Sequence, residues 1–229
     1  MTFAELIEAI EYQKGSSTTQ IAGTTGSYQK VGLLLKPLFP ATKQKLRALD
    51  YGAGLGLGTA ELQSSLGPNF SVDSYEPAPE RSQGPVTFNS SDQLTGPYDV
   101  IVCLNVLNVL ERPIRTAVVK DILELLGPKG IAFIGARKWS GDVDKVARNV
   151  SLAKSHKGFK HLDLVTNEDK SVWIPKRTKK SGIIKVFQKG FDGTELIEYV
   201  ASVAGKGYDI RRVAGIAGNS ILIMKEKKK

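Results

Sequence analysis

The stretch RALDYGAGLGLGTAELQSSL, from Arg47 to Leu66, decides how this chain is read. A short apolar run ends at Asp50, and Gly52, Gly54, Gly56 and Gly58 alternate directly behind it. A helical pattern follows. Glycines tolerate positive φ and let a ligand approach the backbone closely. The start of the helix offers free N–H groups and the positive end of its dipole. A strand, a glycine turn and a helix in that order form a plan for holding a nucleotide-like cofactor. The dinucleotide fingerprint G-x-G-x-x-G fits in no register. Its third glycine would fall on Leu57, Thr59 or Glu61, counting from Gly52, Gly54 or Gly56.

Downstream of this stretch the chain alternates short apolar runs with helical patterns. FSVDSYEP reads as a strand, VTFNSS as a short strand, and YDVIVCLNVL as a strand buried on both faces. IRTAVVKDILELL reads as a helix that starts at Pro113 and stops at Gly127-Pro128, and GIAFIGAR as the next strand. This rhythm predicts a parallel sheet with helical crossovers. Beyond it, DVDKVARNVSLAK reads as a helix, SVWIPKRT and GIIKVFQKGF as a hairpin, and GTELIEYVASVA as a helix capped near Asp192 or Thr194. YDIRRVAGIAGNSILIMKEK reads as two strands with a turn.

Ahead of it, Thr2 and Glu5 have capping-box spacing before a helix that ends near Lys14. The Gly/Ser/Thr-rich run from Gly15 to Gln29 predicts a loop, either a lid or a connector. VGLLLKPLFPAT predicts a helix stopped by Pro37 and Pro40.

Composition narrows the class. Of the 229 residues, 41% are hydrophobic and 24% charged, ordinary values for a water-soluble domain. No apolar run approaches the roughly 20 residues that span a bilayer, so no membrane partner is expected. The acidic N-terminal stretch does not read as a secretory signal. A single cysteine, Cys103, excludes internal disulfides, and with only two histidines it argues against a zinc site. A reducing, cytoplasmic setting fits. The net charge of +9 comes partly from the terminal MKEKKK and partly from residues 173–190. There Lys176, Arg177, Lys179 and Lys180 read either as a solvated face or as contacts to nucleic-acid phosphates.

The series Asp50-x-Gly52-x-Gly54-x-Gly56 resembles the first motif of the Rossmann-like class I methyltransferases, which bind S-adenosylmethionine. Glu76 in SYEP stands 26 residues after Asp50, where a carboxylate takes both ribose hydroxyls. Asp92 in FNSSDQL stands where that family sets a side chain on the adenine amino group, and Ser90, Ser91 and Gln93 could each do the same work. The resemblance implies a three-layer α/β fold: a seven-stranded, mostly parallel sheet with an antiparallel last strand, N-terminal helices and an inserted hairpin. No linker separates two domains, so one domain is expected, with N-terminal helices and lid loop in 1–44, a cofactor half in 45–140, and a substrate half in 141–229 that carries the hairpin 171–191. The implied cofactor residues are Asp50, Gly52, Ala53, Gly54, Gly56, Glu76, Pro77, Ser91, Asp92, Leu104 and Asn105, with Asp50 serving the cofactor's ammonium directly or through water.

Methyl transfer by in-line displacement needs a base only when the acceptor holds a proton at neutral pH. The fourth-strand segment Leu104-Asn105-Val106-Leu107-Asn108 lacks the prolines and aromatic of the amino-methylating nucleic-acid enzymes. Cys103 follows Val102, not a proline, which argues against C5-pyrimidine methylation. Asn105 and Asn108 are the candidates for hydrogen-bonding the acceptor, and Asn108 could equally cap or turn the chain before Pro113. His156 and His161 read as surface residues before they read as bases. Tyr28 and Trp173 could stack on a planar substrate, although Trp173 reads first as hairpin packing. The alternative reading is a nucleic-acid-directed methyltransferase or binding module that uses the basic hairpin.

Overall fold

The computed structural model describes residues 25–39, 44–138, 171–178, 182–216 and 218–226. Helix α1 (Thr25–Leu35) runs into a 3-10 turn at Lys36–Leu38, where Pro37 removes the next N–H donor. Then come β1 (Leu46–Tyr51), α2 (Leu57–Leu66), β2 (Phe70–Tyr75), β3 (Tyr98–Leu104), α3 (Arg112–Leu125) and β4 (Leu126–Ala136). The hairpin β5 (Ser171–Thr178) and β6 (Gly182–Lys189) precedes α4 (Glu195–Ala204), β7 (Tyr208–Val213) and β8 (Asn219–Lys225).

Six strands form one sheet in the order β2-β1-β3-β4-β8-β7. β2, β1, β3 and β4 pair in parallel, and β8 pairs antiparallel with both β4 and β7. The strands' alternation builds three layers. Ala48, Val100, Val102 and Phe133 face the helices α1 and α2, through Val31, Leu35, Leu62 and Leu66. Leu49, Ile101, Ala132 and Ile134 face the other layer, through Val118, Val119, Ile122, Leu196 and Val200 of α3 and α4. Burying each of the valine, leucine, isoleucine and phenylalanine side chains is worth about 1.5–3 kcal/mol.

The sheet departs from the seven strands expected. VTFNSS supplies one isolated bridge, Tyr75 to Phe88, in place of a strand. Asn89 and Ser90 instead turn the chain, donating their N–H groups to Gln93 Oε1 at 3.0 and 3.2 Å. Short polar side chains that bond locally compete with a ladder. The hairpin is a separate two-stranded ribbon, in register from Ser171↔Lys189 to Thr178↔Gly182. The loop expected from Gly15 to Gln29 is also corrected, since α1 already begins at Thr25. The helix expected over 2–14, residues 15–24, the helix near 142–154, His156, His161, Lys179 and Lys180 lie outside the described residues. Among the described residues, no helix is long and apolar enough to cross a membrane.

Candidate cofactor site

β1 hands the chain to β2 on one side, and β3 returns on the other side of β1. Such a reversal of strand order leaves a crevice at the carboxyl ends of the strands. The glycine turn sits there. Gly52, Gly54 and Gly56 have φ of +79°, +59° and +75°, which a β-carbon would strain. The N–H groups of Gly52 and Ala53 both donate to Tyr75 O, at 2.8 and 2.9 Å, so the end of β2 holds the turn. Glu76, the next residue, directs its carboxylate to the same turn. Its Oε2 accepts from the Gly54 N–H at 2.8 Å, and its Oε1 accepts from the Ala78 N–H at 3.0 Å. Pro77, between them, is half-buried. Asp92 is exposed, on the 3-10 turn Ser91–Gln93, and accepts from Ser90 Oγ.

The segment after Glu76 folds over the glycine turn, which the residues alone did not foretell. Ser82 Oγ donates to Gly54 O at 2.7 Å, and the N–H groups of Gln83 and Gly84 both donate to Leu55 O at 2.9 Å. A β-carbon on Gly56 would stand 3.1 Å from Gly84 Cα. Gly84 was the available signal: a glycine with no role in any strand or helix.

Asp50 sits at the foot of the turn and is fully buried. Its Oδ1 accepts from Tyr28 Oη at 2.8 Å and its Oδ2 from Thr59 Oγ1 at 2.7 Å. Burial raises its carboxyl to about 6, against the opposing pull of those two hydroxyl donors. Both oxygens are thus each bonded to a hydroxyl inside the protein. Tyr28 is corrected. It is 4% exposed and packs in the core rather than standing ready to stack on a substrate. The side chain of Trp173 lies outside the described residues.

The other wall of the crevice follows β3. Leu104 is buried and touches Gly135 of β4, where a β-carbon would come within 2.6 Å of Leu104 Cδ2. Asn105 adopts φ +60°, a left-handed conformation that asparagine tolerates better than most residues. Its N–H donates to Gly135 O at 2.8 Å. Val106 then abuts the glycine turn, since a β-carbon on Gly52 would stand 2.4 Å from Val106 Cγ2. The cofactor turn and the turn bearing Asn105 are thus in contact. Asn108 is buried, and its Oδ1 has no hydrogen-bond partner among the described residues. Cys103 lies wholly in the core and burial pushes its thiol up, so it is a packing residue.

Arg115 of α3 was missed by sequence reasoning. It is fully buried, and donates from Nε to Leu107 O at 3.0 Å and from Nη2 to Leu110 O at 2.9 Å. Its guanidinium also lies over the rings of Phe191 and Tyr199, 5.5 and 5.4 Å from their centroids. It clamps the turn that carries Asn108. No local pattern marks an arginine on an amphipathic helix as buried.

The arrangement fits a sulfonium nucleoside. It offers a left-handed glycine turn at a helix start and a carboxylate from the next strand facing that turn. A methyltransferase-domain family model matches residues 27–169, more than half of the chain. The chain belongs to that family. This methyltransferase has the Rossmann-like class I fold. Similar solved structures include an S-adenosylmethionine-dependent methyltransferase from Clostridium acetobutylicum, with 10% identity, TM-score 0.54, and 98% of this chain and 100% of that one covered. Another is 1,6-didemethyltoxoflavin-N1-methyltransferase from Burkholderia thailandensis, with 14% identity, TM-score 0.52, and coverage of 96% and 87%. A third is a sugar N-methyltransferase from Streptoalloteichus, with 13% identity, TM-score 0.51, and coverage of 92% and 90%. At such identities the likeness bears on the fold. A search of curated proteins found no match.

Proposed function

We propose that the methyltransferase binds S-adenosylmethionine along Gly52–Gly56 and transfers its methyl group to a small-molecule acceptor placed beyond Asn105 and Asn108. The observation that carries this reading is the Glu76 carboxylate turned onto the Gly54 N–H, at the carboxyl edge of the sheet. In the bound state that carboxylate would take the ribose hydroxyls. Ser91 and Asp92 would serve the adenine, and Ala53, Pro77 and Leu104 would line the contact. When bound, the cofactor would supply a methyl group on a sulfonium sulfur, which would leave as a neutral thioether. The protein's part is alignment of the acceptor opposite the departing sulfur, which can be worth roughly 7–11 kcal/mol. The acceptor class is supported by two fold neighbours named as a 1,6-didemethyltoxoflavin-N1-methyltransferase and a sugar N-methyltransferase.

Isothermal titration with S-adenosylhomocysteine tests the cofactor site. Binding is expected for the wild type and should be lost in Gly54→Val, where a branched side chain would be forced to φ +59°. An absence of binding at millimolar ligand would remove the reading.

The clustered charge of Lys176, Arg177, Lys179 and Lys180 motivates a second reading, a nucleic-acid acceptor. It requires binding that weakens steeply with salt. Unchanged RNA and DNA mobility at low salt would end it.

A further inference from the structure

The cofactor reading leaves one member of the glycine run unused. Gly58 is not in the turn but inside α2. A β-carbon there would stand 2.2 Å from Tyr28 Cε2, 2.3 Å from Cδ2 and 2.7 Å from Cζ. The ring of Tyr28 fills the space that any other residue's side chain would need. From this slot Tyr28 Oη reaches Asp50 Oδ1 at 2.8 Å, while Thr59, the residue after Gly58, reaches Oδ2 at 2.7 Å. The carboxylate at the foot of the glycine turn is thus held by one hydroxyl from each of two helices. A second glycine seats the same pair of helices: a β-carbon on Gly32 of α1 would lie 2.4 Å from Ser65 Cβ of α2.

We propose that Tyr28 is a positioning residue of the cofactor site, acting through Asp50 to make cofactor affinity depend on the docking of α1. The inference rests on the cofactor reading above.

A buried carboxylate is costly unless donors satisfy it. With both oxygens bonded, Asp50 stays charged and oriented, and its negative field lies beneath the turn that would receive the cofactor's ammonium end. Without the tyrosine hydroxyl, one oxygen in a dry site loses its donor. Asp50 must then rotate or take up a proton, and either change alters the field at the turn. The titratable and hydroxyl groups that face Asp50 are Tyr28 from α1, Thr59 from α2, Cys103 from β3 and Glu76 at the end of β2. Of these, Tyr28 and Thr59 favour the anion, and the charge of Glu76 opposes it.

The test is titration of wild type, Tyr28→Phe and Asp50→Asn with S-adenosylhomocysteine from pH 5 to pH 8, with melting curves alongside. Wild-type affinity should fall on acidification, with a midpoint near pH 6, the value to which Asp50 is raised. Tyr28→Phe should bind at least about tenfold more weakly at pH 7, the lower end of the loss expected for one hydrogen bond to a charged group. Its midpoint should move to higher pH. Asp50→Asn should bind weakly with no midpoint in this range. A merely structural tyrosine would lower the melting temperature without moving the midpoint, and that result overturns the proposal, as does wild-type affinity in Tyr28→Phe. Should Tyr28→Phe fail to fold, Gly58→Ala keeps the hydroxyl but displaces the ring. It should move the midpoint in the same direction, and an unmoved midpoint refutes the coupling. Failure of the wild type to bind at any pH would instead strike the cofactor reading itself.

Discussion

One helix supplies a matched pair of perturbations. Gly26 and Gly32 both belong to α1, and each can be changed to alanine. The added methyl group is the same, and so is the sign of the propensity gain, up to about 1 kcal/mol for alanine over glycine in a helix. The surroundings differ. A β-carbon on Gly26 meets nothing within 4 Å, whereas one on Gly32 would lie 2.4 Å from Ser65 Cβ and 3.3 Å from Leu66 N. The first contact is with a β-carbon and the second with backbone, so relief requires α1 to move off α2. Overpacking of this kind costs about 1–3 kcal/mol. Gly26→Ala should therefore stabilise by up to about 1 kcal/mol, less if its place in the first turn mutes the gain. Gly32→Ala should lose up to about 2 kcal/mol net, once the same gain is subtracted. Urea unfolding at equal m-value measures both. In melting temperature the two variants should separate by several degrees, since 1 kcal/mol is about 2–4 °C at this chain length. Equal stabilisation by both substitutions would show that α1 does not seat on α2 through Gly32, and would remove the basis for placing Tyr28 over Asp50.

Glu76→Ala should weaken S-adenosylhomocysteine binding by about 1.5–3 kcal/mol for each charge-assisted hydrogen bond lost, read by titration calorimetry; equal affinities would refute its role. Asp50 also predicts a pH dependence of stability. Burial raises its carboxyl from 3.8 to about 6, so the folded chain holds that proton more tightly than the unfolded one. The stability it contributes is complete below the lower value and is lost as pH rises through the upper one. Relative to Asp50→Asn, wild type should therefore lose about 2 kcal/mol between pH 4 and pH 7 in urea titrations, and parallel profiles would contradict this. Arg115→Met keeps the length of the side chain but leaves Leu107 O and Leu110 O without these donors, and should cost about 2–5 kcal/mol. A loss below 1 kcal/mol, measured by the same unfolding, would show that the clamp is not needed.

The sequence alone determined most of the alternation of strands and helices and the place of the glycine turn. Alternating apolar runs and helical periods announce a parallel sheet because side-chain periodicity is a local property of the chain. The spacing of Asp50, Gly52, Gly54 and Gly56 is legible for the same reason, since a turn needs its glycines at particular positions. Tertiary structure decided what those residues touch. Asp50 faces Tyr28 and Thr59, an arrangement that exists only once α1 lies on α2. Gly58 belongs to the same run by sequence, yet it serves the packing of two helices. The loss of the seventh strand to a single bridge at Phe88, the covering segment Ser82–Gly84 and the burial of Arg115 likewise depend on partners tens of residues away or on a competition between turn and ladder. Local pattern records what a segment can become; burial and hydrogen-bond partners arise from long-range packing, which no short window contains.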